Sequence, residues 1–161
     1  MLTEPQRTMV WEEWLAAEIR ANYFADLSGA YHRRQRVATF TTLVFSSGAF
    51  AALLARLSWV PEWVPAALAL LAAAVSLYSL VAQNLKAAVD CSDLHFRWNK
   101  LAMEYQDLWN AGDVEDADRR LGQLNERRAE ASKSGTAFPY SKRRMLRWYE
   151  LVVEHRAPKA A

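Results

Sequence analysis

Two kinds of hydrophobic pattern run along the chain: long uncharged blocks in its middle and helical-period stripes on either side. About 19 uncharged residues separate Arg36 from Arg56 and about 23 separate Glu62 from Lys86, each close to the roughly 20 helical residues that cross a bilayer. The blocks predict a two-helix transmembrane hairpin, with spans at 37–57 and 63–85 and an extracytoplasmic turn at 58–62. Trp59 and Trp63 would sit at headgroup level, with Pro65 in the first turn of the second helix. The competing reading is a buried helical hairpin in a soluble bundle, where helices apolar on all faces also occur. A chain of 161 residues has little other surface with which to enclose one.

The flanks read as amphipathic helices. Thr3, Pro5 and Gln6 form a helix start of the capping-box kind. Val10, Trp14, Ala17, Ala21 and Phe24 then recur at helical spacing to about Ala25, and this stripe must be covered by another helix or lie on lipid, with Glu12, Glu13 and Glu18 favouring the helix. Ser28-Gly29 predicts a break, with Ser28 capping a second helix that runs into the first span. Beyond the second span no breaker occurs before Asn110-Ala111-Gly112, so the helix is expected to continue as an unbroken stalk to about Trp109. Leu94, Trp98, Leu101, Tyr105 and Leu108 on it have the spacing of a bundle seam. Asp113 is expected to cap a further helix carrying Val114, Ala117, Leu121 and Leu124 and ending at Ser132–Gly135. A last helix starts at Pro139-Tyr140-Ser141, with Met145, Trp148 and Val152 on one side. No strand pattern or repeat is visible. The expected fold is all-α: a single domain over 1–161 in which 1–36 and 86–161 are cytosolic and the amphipathic helices form a bundle.

Charge adds direction. The apolar content is 52% although the mean hydropathy is negative, at -0.17, so apolar residues are concentrated in blocks. A net charge of +2 argues for no partner by itself, but its distribution does more. Arg33, Arg34 and Arg36 precede the first span and Lys86, Arg97 and Lys100 follow the second, whereas the loop between holds only Arg56. Both termini are therefore expected in the cytoplasm. Arg33, Arg34, Arg36, Trp59, Trp63 and Lys86 are the expected membrane-interface residues, with the arginines reaching lipid phosphates. Met1–Arg20 mixes charged and apolar residues and does not read as a cleavable leader.

Catalytic chemistry finds no foothold. No nucleophile, base and orienting group occur in a recognisable arrangement, and no Gly-rich phosphate loop is present. Cys91 and His95 lie one helical turn apart, yet a closed zinc site needs four ligands. Neither enzymatic activity, a metal nor another cofactor is expected. Two binding features remain. Thr39, Thr42 and Ser46 share a face of the first span, as do Ser76, Ser79 and Gln83 of the second, while Phe50 and Leu53 present bulky apolar groups further out. Around a symmetry axis these residues could line a pore with a polar inner vestibule and a dewetting constriction. Packing between helices would use the same residue types, with Ala69, Ala73 and Ser76 permitting close approach. The second feature is a set of cations, Arg119, Arg120, Arg127, Arg128, Lys142, Arg143, Arg144 and Arg147, with Trp148 available for base stacking. They are candidates for binding a nucleotide or oligonucleotide, although Asp116, Asp118, Glu126 and Glu130 could pair with many of them.

Tyr23 and Tyr31 with Arg33-Arg34 before the first span, the short turn, the second span and the Leu94–Leu108 seam together resemble the SLATT-domain family over about Trp11 to Arg128. That resemblance implies a two-transmembrane, pore-forming effector of bacterial anti-phage defence in the inner membrane, partnered by lipid and by its own copies, with a tetramer favoured. It further implies a signal made by a nucleotidyltransferase, a nucleotide or single-stranded oligonucleotide whose binding or loss opens the pore. The alternative is a non-conducting two-helix anchor or scaffold that recruits a partner protein.

Overall fold

The computed structural model describes residues 2–47, 61, 63–111 and 116–156. All regular structure among them is helical: α1 (Glu4–Ser46), α2 (Trp63–Ala82), α3 (Asn84–Ala111), α4 (Ala117–Gly135) and α5 (Lys142–Arg156). The chain divides into two compact units, Met1–Leu27 with Asp90–Ala161, and Ser28–Val89.

The first unit is a helical bundle. Its core takes Val10, Trp14, Ala17, Ala21 and Phe24 from α1, Leu94, Trp98, Leu101, Tyr105 and Leu108 from α3, Ala117, Leu121 and Leu124 from α4, and Val152 from α5, all at most 6% exposed. These follow the predicted stripes, except that Met145 and Trp148 of α5 are only half-buried, and each helix is ordered by the residues it buries. Half of the capping box forms: the Gln6 side chain accepts from the Thr3 amide at 2.7 Å, and the Thr3 hydroxyl donates to the same Gln6 oxygen at 3.0 Å. Gly135 ends α4 where the Phe24 ring approaches, a Cβ at this position lying 3.1 Å from the ring edge. The residues expected to start α4, Asp113 and Val114, lie outside the described residues; Asp116 flanks its first turn and pairs with Arg119 at 2.8 Å.

In the second unit the later part of α1 packs against α2 and the first turn of α3. Ser28 Oγ donates to the Ala88 carbonyl oxygen at 2.8 Å and Ser79 Oγ donates to Gln35 Oε1 at 3.0 Å, so the contacting segments run in opposite directions. Small residues form the interface: Ala38, Ala72, Ala88 and Ser28 are each at most 8% exposed. Ala69 and Ala73, expected to serve this purpose, are exposed.

Three expectations need correction. No break occurs at Ser28-Gly29, since α1 continues unbroken from Glu4 to Ser46. Ser28 is not a cap, because its hydroxyl bonds a carbonyl of α3 across the interface. The expected stalk is interrupted at Gln83, a turn residue with φ of 44° between α2 and α3. The burial phase explains that interruption. The inward stripe of α3, Asn84, Ala88, Cys91 and Leu94, would extend back through Val81, Leu77 and Leu70, all of which are strongly exposed; α2 turns Ala72 inward instead. One left-handed residue resets the phase between the two stripes.

The stretch Trp63–Ala111 is long and apolar enough to cross a membrane, and only 6% of its apolar window is buried. Leu70, Leu77 and Val81 on it, with Val37, Phe40 and Leu43 on α1, are more than 60% exposed. Residues 48–60, which include all of the expected first span beyond Ser47, lie outside the described residues.

Candidate functional site

The predicted cations fall into three settings. Between α3 and α4 a groove of about 250 Å³ is lined by Glu104, Asp107 and Leu108 on one side and Arg120, Gln123, Leu124 and Arg127 on the other. Arg120 and Arg127 are seven residues apart, so α4 presents both to the same side. Arg127 is ion-paired with Glu104 across the groove, whereas Arg120 and Asp107 are exposed. Two carboxylates and two guanidiniums make the lining close to neutral. The groove therefore suits an anion only if that anion displaces a carboxylate from an arginine.

The second setting is internal. Arg128 bonds Glu13 of α1, Arg20 lies 4.7 Å over the Trp98 ring, and the Tyr105 hydroxyl donates to Asn125 Oδ1 at 3.1 Å. Burial lowers the Arg20 pKa, with Glu13 acting in the opposite direction and Arg128 reinforcing the fall. Burial also pushes the Tyr105 phenol up to about 12, helped by Glu13 and opposed by Arg128 and Arg20. Glu13 Oε2 is buried with no hydrogen-bond partner among the described residues. Arg128 is thus committed to joining helices. Arg119 is likewise occupied, by Asp116.

The third setting is α5. Arg144 approaches Asp26 of α1 at 3.8 Å, and Arg156 binds Glu18 through Nε at 3.1 Å. Arg147 lies 5.1 Å over its neighbour Trp148, whose half-buried indole Nε1 has no hydrogen-bond partner among the described residues. Lys142 and Arg143 are exposed. The structure therefore brings Arg120 and Arg127 into one groove and gives Arg119, Arg128 and Arg144 carboxylate partners elsewhere.

Among the polar residues expected to line a pore, Ser79 and Thr39 are joined through Gln35, whose Nε2 donates to Thr39 Oγ1 at 3.4 Å. Thr42 and Ser76 are half-buried, Ser46 is exposed, and Gln83 is the exposed turn residue. Phe50 and Leu53 lie outside the described residues. At the expected membrane interface, Arg33, Arg34, Arg36, Trp63 and Lys86 are exposed, with Arg34 5.6 Å over the Tyr31 ring; Trp59 is outside the described residues. His95 Nδ1 donates to the Ala21 carbonyl oxygen at 2.9 Å, and burial, aided by Asp90, raises the Cys91 thiol to about 11.

Glu104, Asp107 and Gln123 were not among the site residues expected from the sequence, and Tyr23 was marked only within the family resemblance. For Glu104 and Asp107 a signal existed: they flank the Leu101–Leu108 seam as Arg120 and Arg127 flank Leu121 and Leu124, the positions where charges pair across helices. Tyr23 accepts from the Ser141 amide at 3.1 Å and donates to the Pro139 carbonyl oxygen at 3.0 Å, a tie across more than a hundred residues that no local pattern reveals. Comparison of the chain with protein families, with curated proteins and with solved structures found no match.

Proposed function

We propose that the chain is an integral membrane protein of the bacterial inner membrane, with both termini cytoplasmic, whose copies assemble into a gated pore. The observation that carries this reading is the outward apolar surface of Trp63–Ala111, of which 6% of the apolar window is buried. A soluble bundle would cover such a helix, and the exposed Val37, Phe40 and Leu43 of α1 extend the uncovered surface. Arginines at one end and Trp63 at the other fit the interfaces of a bilayer. One pair of helices encloses no pore, so conduction requires several copies. In the assembly Thr42, Ser46 and Ser76 supply the polar lining.

Gating is assigned to the α3–α4 groove. A phosphate of a nucleotide or oligonucleotide would compete with Glu104 for Arg127 while Arg120 holds a second charge. Arg119, Arg128 and Arg144 do not line that groove. Defence against phage, the cellular setting of this proposal, rests on the resemblance to the SLATT-domain family.

The test is reconstitution into vesicles, with ion leak measured across nucleotides and single-stranded oligonucleotides. A multimer that leaks under one ligand condition supports the proposal; a monomer that never conducts overturns it. A second reading, a non-conducting scaffold, is favoured by the Ser79–Gln35–Thr39 bonds, which spend polar groups on contact within one chain. Ser46→Leu and Ser76→Leu separate the two, because a scaffold keeps its function and a polar-lined pore loses conductance.

A further inference from the structure

We infer that the first two turns of α5, with the tyrosine before them, form a docking surface for an acidic phospholipid bilayer. Tyr140 is 70% exposed, Tyr149 54% and Leu146 48%. Lys142, Arg143 and Arg147 are exposed among them, and no acidic residue occurs between Tyr140 and Glu150. Tyrosine and leucine side by side with three cations is the composition that lies at the headgroup boundary, with aromatic rings at the level of the phosphates and cations beside them.

The patch is held in place before any partner arrives. Tyr23, 3% exposed, binds the backbone on both sides of Tyr140 through the Pro139 carbonyl and the Ser141 amide. On the opposite side of α5, Arg144 reaches Asp26, Arg156 holds Glu18 and Val152 is buried. The helix thus has one face committed to the bundle and a second left open, apolar and basic over its first two turns and followed by the exposed Glu150 and Glu154. Three cations at the start of a helix also oppose its macrodipole, a local cost that an anionic surface would offset. Charge complementarity selects acidic lipid over a protein groove, because Lys142 and Arg143 have no carboxylate partner among the described residues and Arg147 has only its own neighbouring ring. The inference goes beyond the gating groove, which lies between α3 and α4, and rests on the membrane reading only for the presence of a bilayer.

The experiment uses full-length protein in nanodiscs of phosphatidylcholine with or without phosphatidylglycerol, with amide hydrogen exchange read over residues 138–150. Exchange there is expected to slow on the acidic discs and to recover in high salt. The triple variant K142E, R143E and R147E should lose the slowing while keeping its helix content. With roughly a fivefold partition gain per cation near an acidic surface, the three together correspond to about a hundredfold preference for acidic lipid. Tyr140→Ser with Leu146→Ser serves as a second variant and should weaken the protection without altering charge. Equal exchange on both discs overturns the inference. So does protection by a single-stranded oligonucleotide on phosphatidylcholine discs with none from phosphatidylglycerol, which would assign the patch to nucleic acid. Insertion is read separately by carbonate extraction: protein that is extracted yet still sediments with acidic vesicles removes the spanning reading and keeps this surface.

Discussion

The Ser28 hydroxyl donates to the carbonyl oxygen of Ala88, 2.8 Å away and sixty residues further along the chain. Ser28 is 8% exposed and Ala88 fully buried, so a side chain expected to end a helix instead joins two. Ser28→Ala removes a buried hydrogen bond worth about 1 kcal/mol, partly offset by the roughly 0.5 kcal/mol better helix propensity of alanine. Gly29→Ala acts in the opposite direction. Its Cβ meets nothing within 4 Å, so replacing a mid-helix glycine should stabilise by about 0.5–1 kcal/mol. A melting temperature in detergent should rise by about 1–4 °C for Gly29→Ala. A lower value would show that the chain needs a break at that point.

Gly29 also shows where the sequence is informative and where it is not. The stripes through Val10–Phe24 and Leu94–Leu108 are legible because burial imposes the helical period directly on residue type. Ser-Gly is the usual signature of a helix end, but a helix packed on both sides of the dipeptide tolerates the local cost. The Gln83 interruption was illegible for a different reason. Glutamine is a good helix former, and the left-handed turn there serves the mismatch between two buried stripes, which becomes apparent only when both helices have partners. The same holds for the site: clustered arginines are visible in the sequence, but which of them Glu104, Glu13 and Asp26 neutralise is a property of the bundle.

Tyr23 makes two hydrogen bonds with one buried hydroxyl, to Pro139 and from Ser141. Tyr23→Phe should cost about 1–3 kcal/mol, because it leaves a backbone donor and acceptor less well satisfied. The loss should be local. Amide exchange at residues 141–145 is expected to accelerate while that of the Leu94–Leu108 segment stays unchanged. Uniform acceleration across the bundle would mean that α5 does not open independently.

Alkaline pH should loosen the bundle. Burial raises Cys91 from 9.0 to about 11 and Tyr105 from 10.0 to about 12, so the unfolded chain releases both protons first. The stabilising contribution of these neutral groups is complete below about pH 9 and is lost as pH rises through 9 to 12. Cys91→Ser should flatten the first part of that decline in a denaturation series against pH. At neutral pH the thiol should resist maleimide until the protein is unfolded.

Gln83 holds φ at 44° without being glycine, a conformation that costs other residues about 1–2 kcal/mol. Gln83→Gly should therefore keep the fold and stabilise it, whereas Gln83→Val should destabilise it, since a β-branched side chain is least tolerated there. Gly and Val variants that melt together would show that the turn is not maintained in solution.

Of the two ion pairs that tie Arg127 and Arg128 of α4 to other helices, Glu104–Arg127 is the more open to exchange. Its side chains are 30% and 44% exposed, against 19% and 36% for Glu13 and Arg128, and a pair this accessible to water contributes at most about 1 kcal/mol. A phosphate that reaches both Arg127 and the exposed Arg120 makes two charged contacts where Glu104 makes one, enough to displace Glu104 but with less margin for the more enclosed Glu13. Glu104→Gln should accordingly leave stability within about 1 kcal/mol of the parent and tighten binding of an oligonucleotide several-fold, by removing the competitor from the groove. Glu13→Gln should instead destabilise the bundle, because it leaves Arg128 without its charge partner beside Arg20. Calorimetric titration of each variant in detergent, paired with its melting curve, distinguishes the two. If Glu104→Gln binds no more tightly, then Arg127 is not a ligand contact and the gating assignment to this groove fails, irrespective of whether the protein conducts.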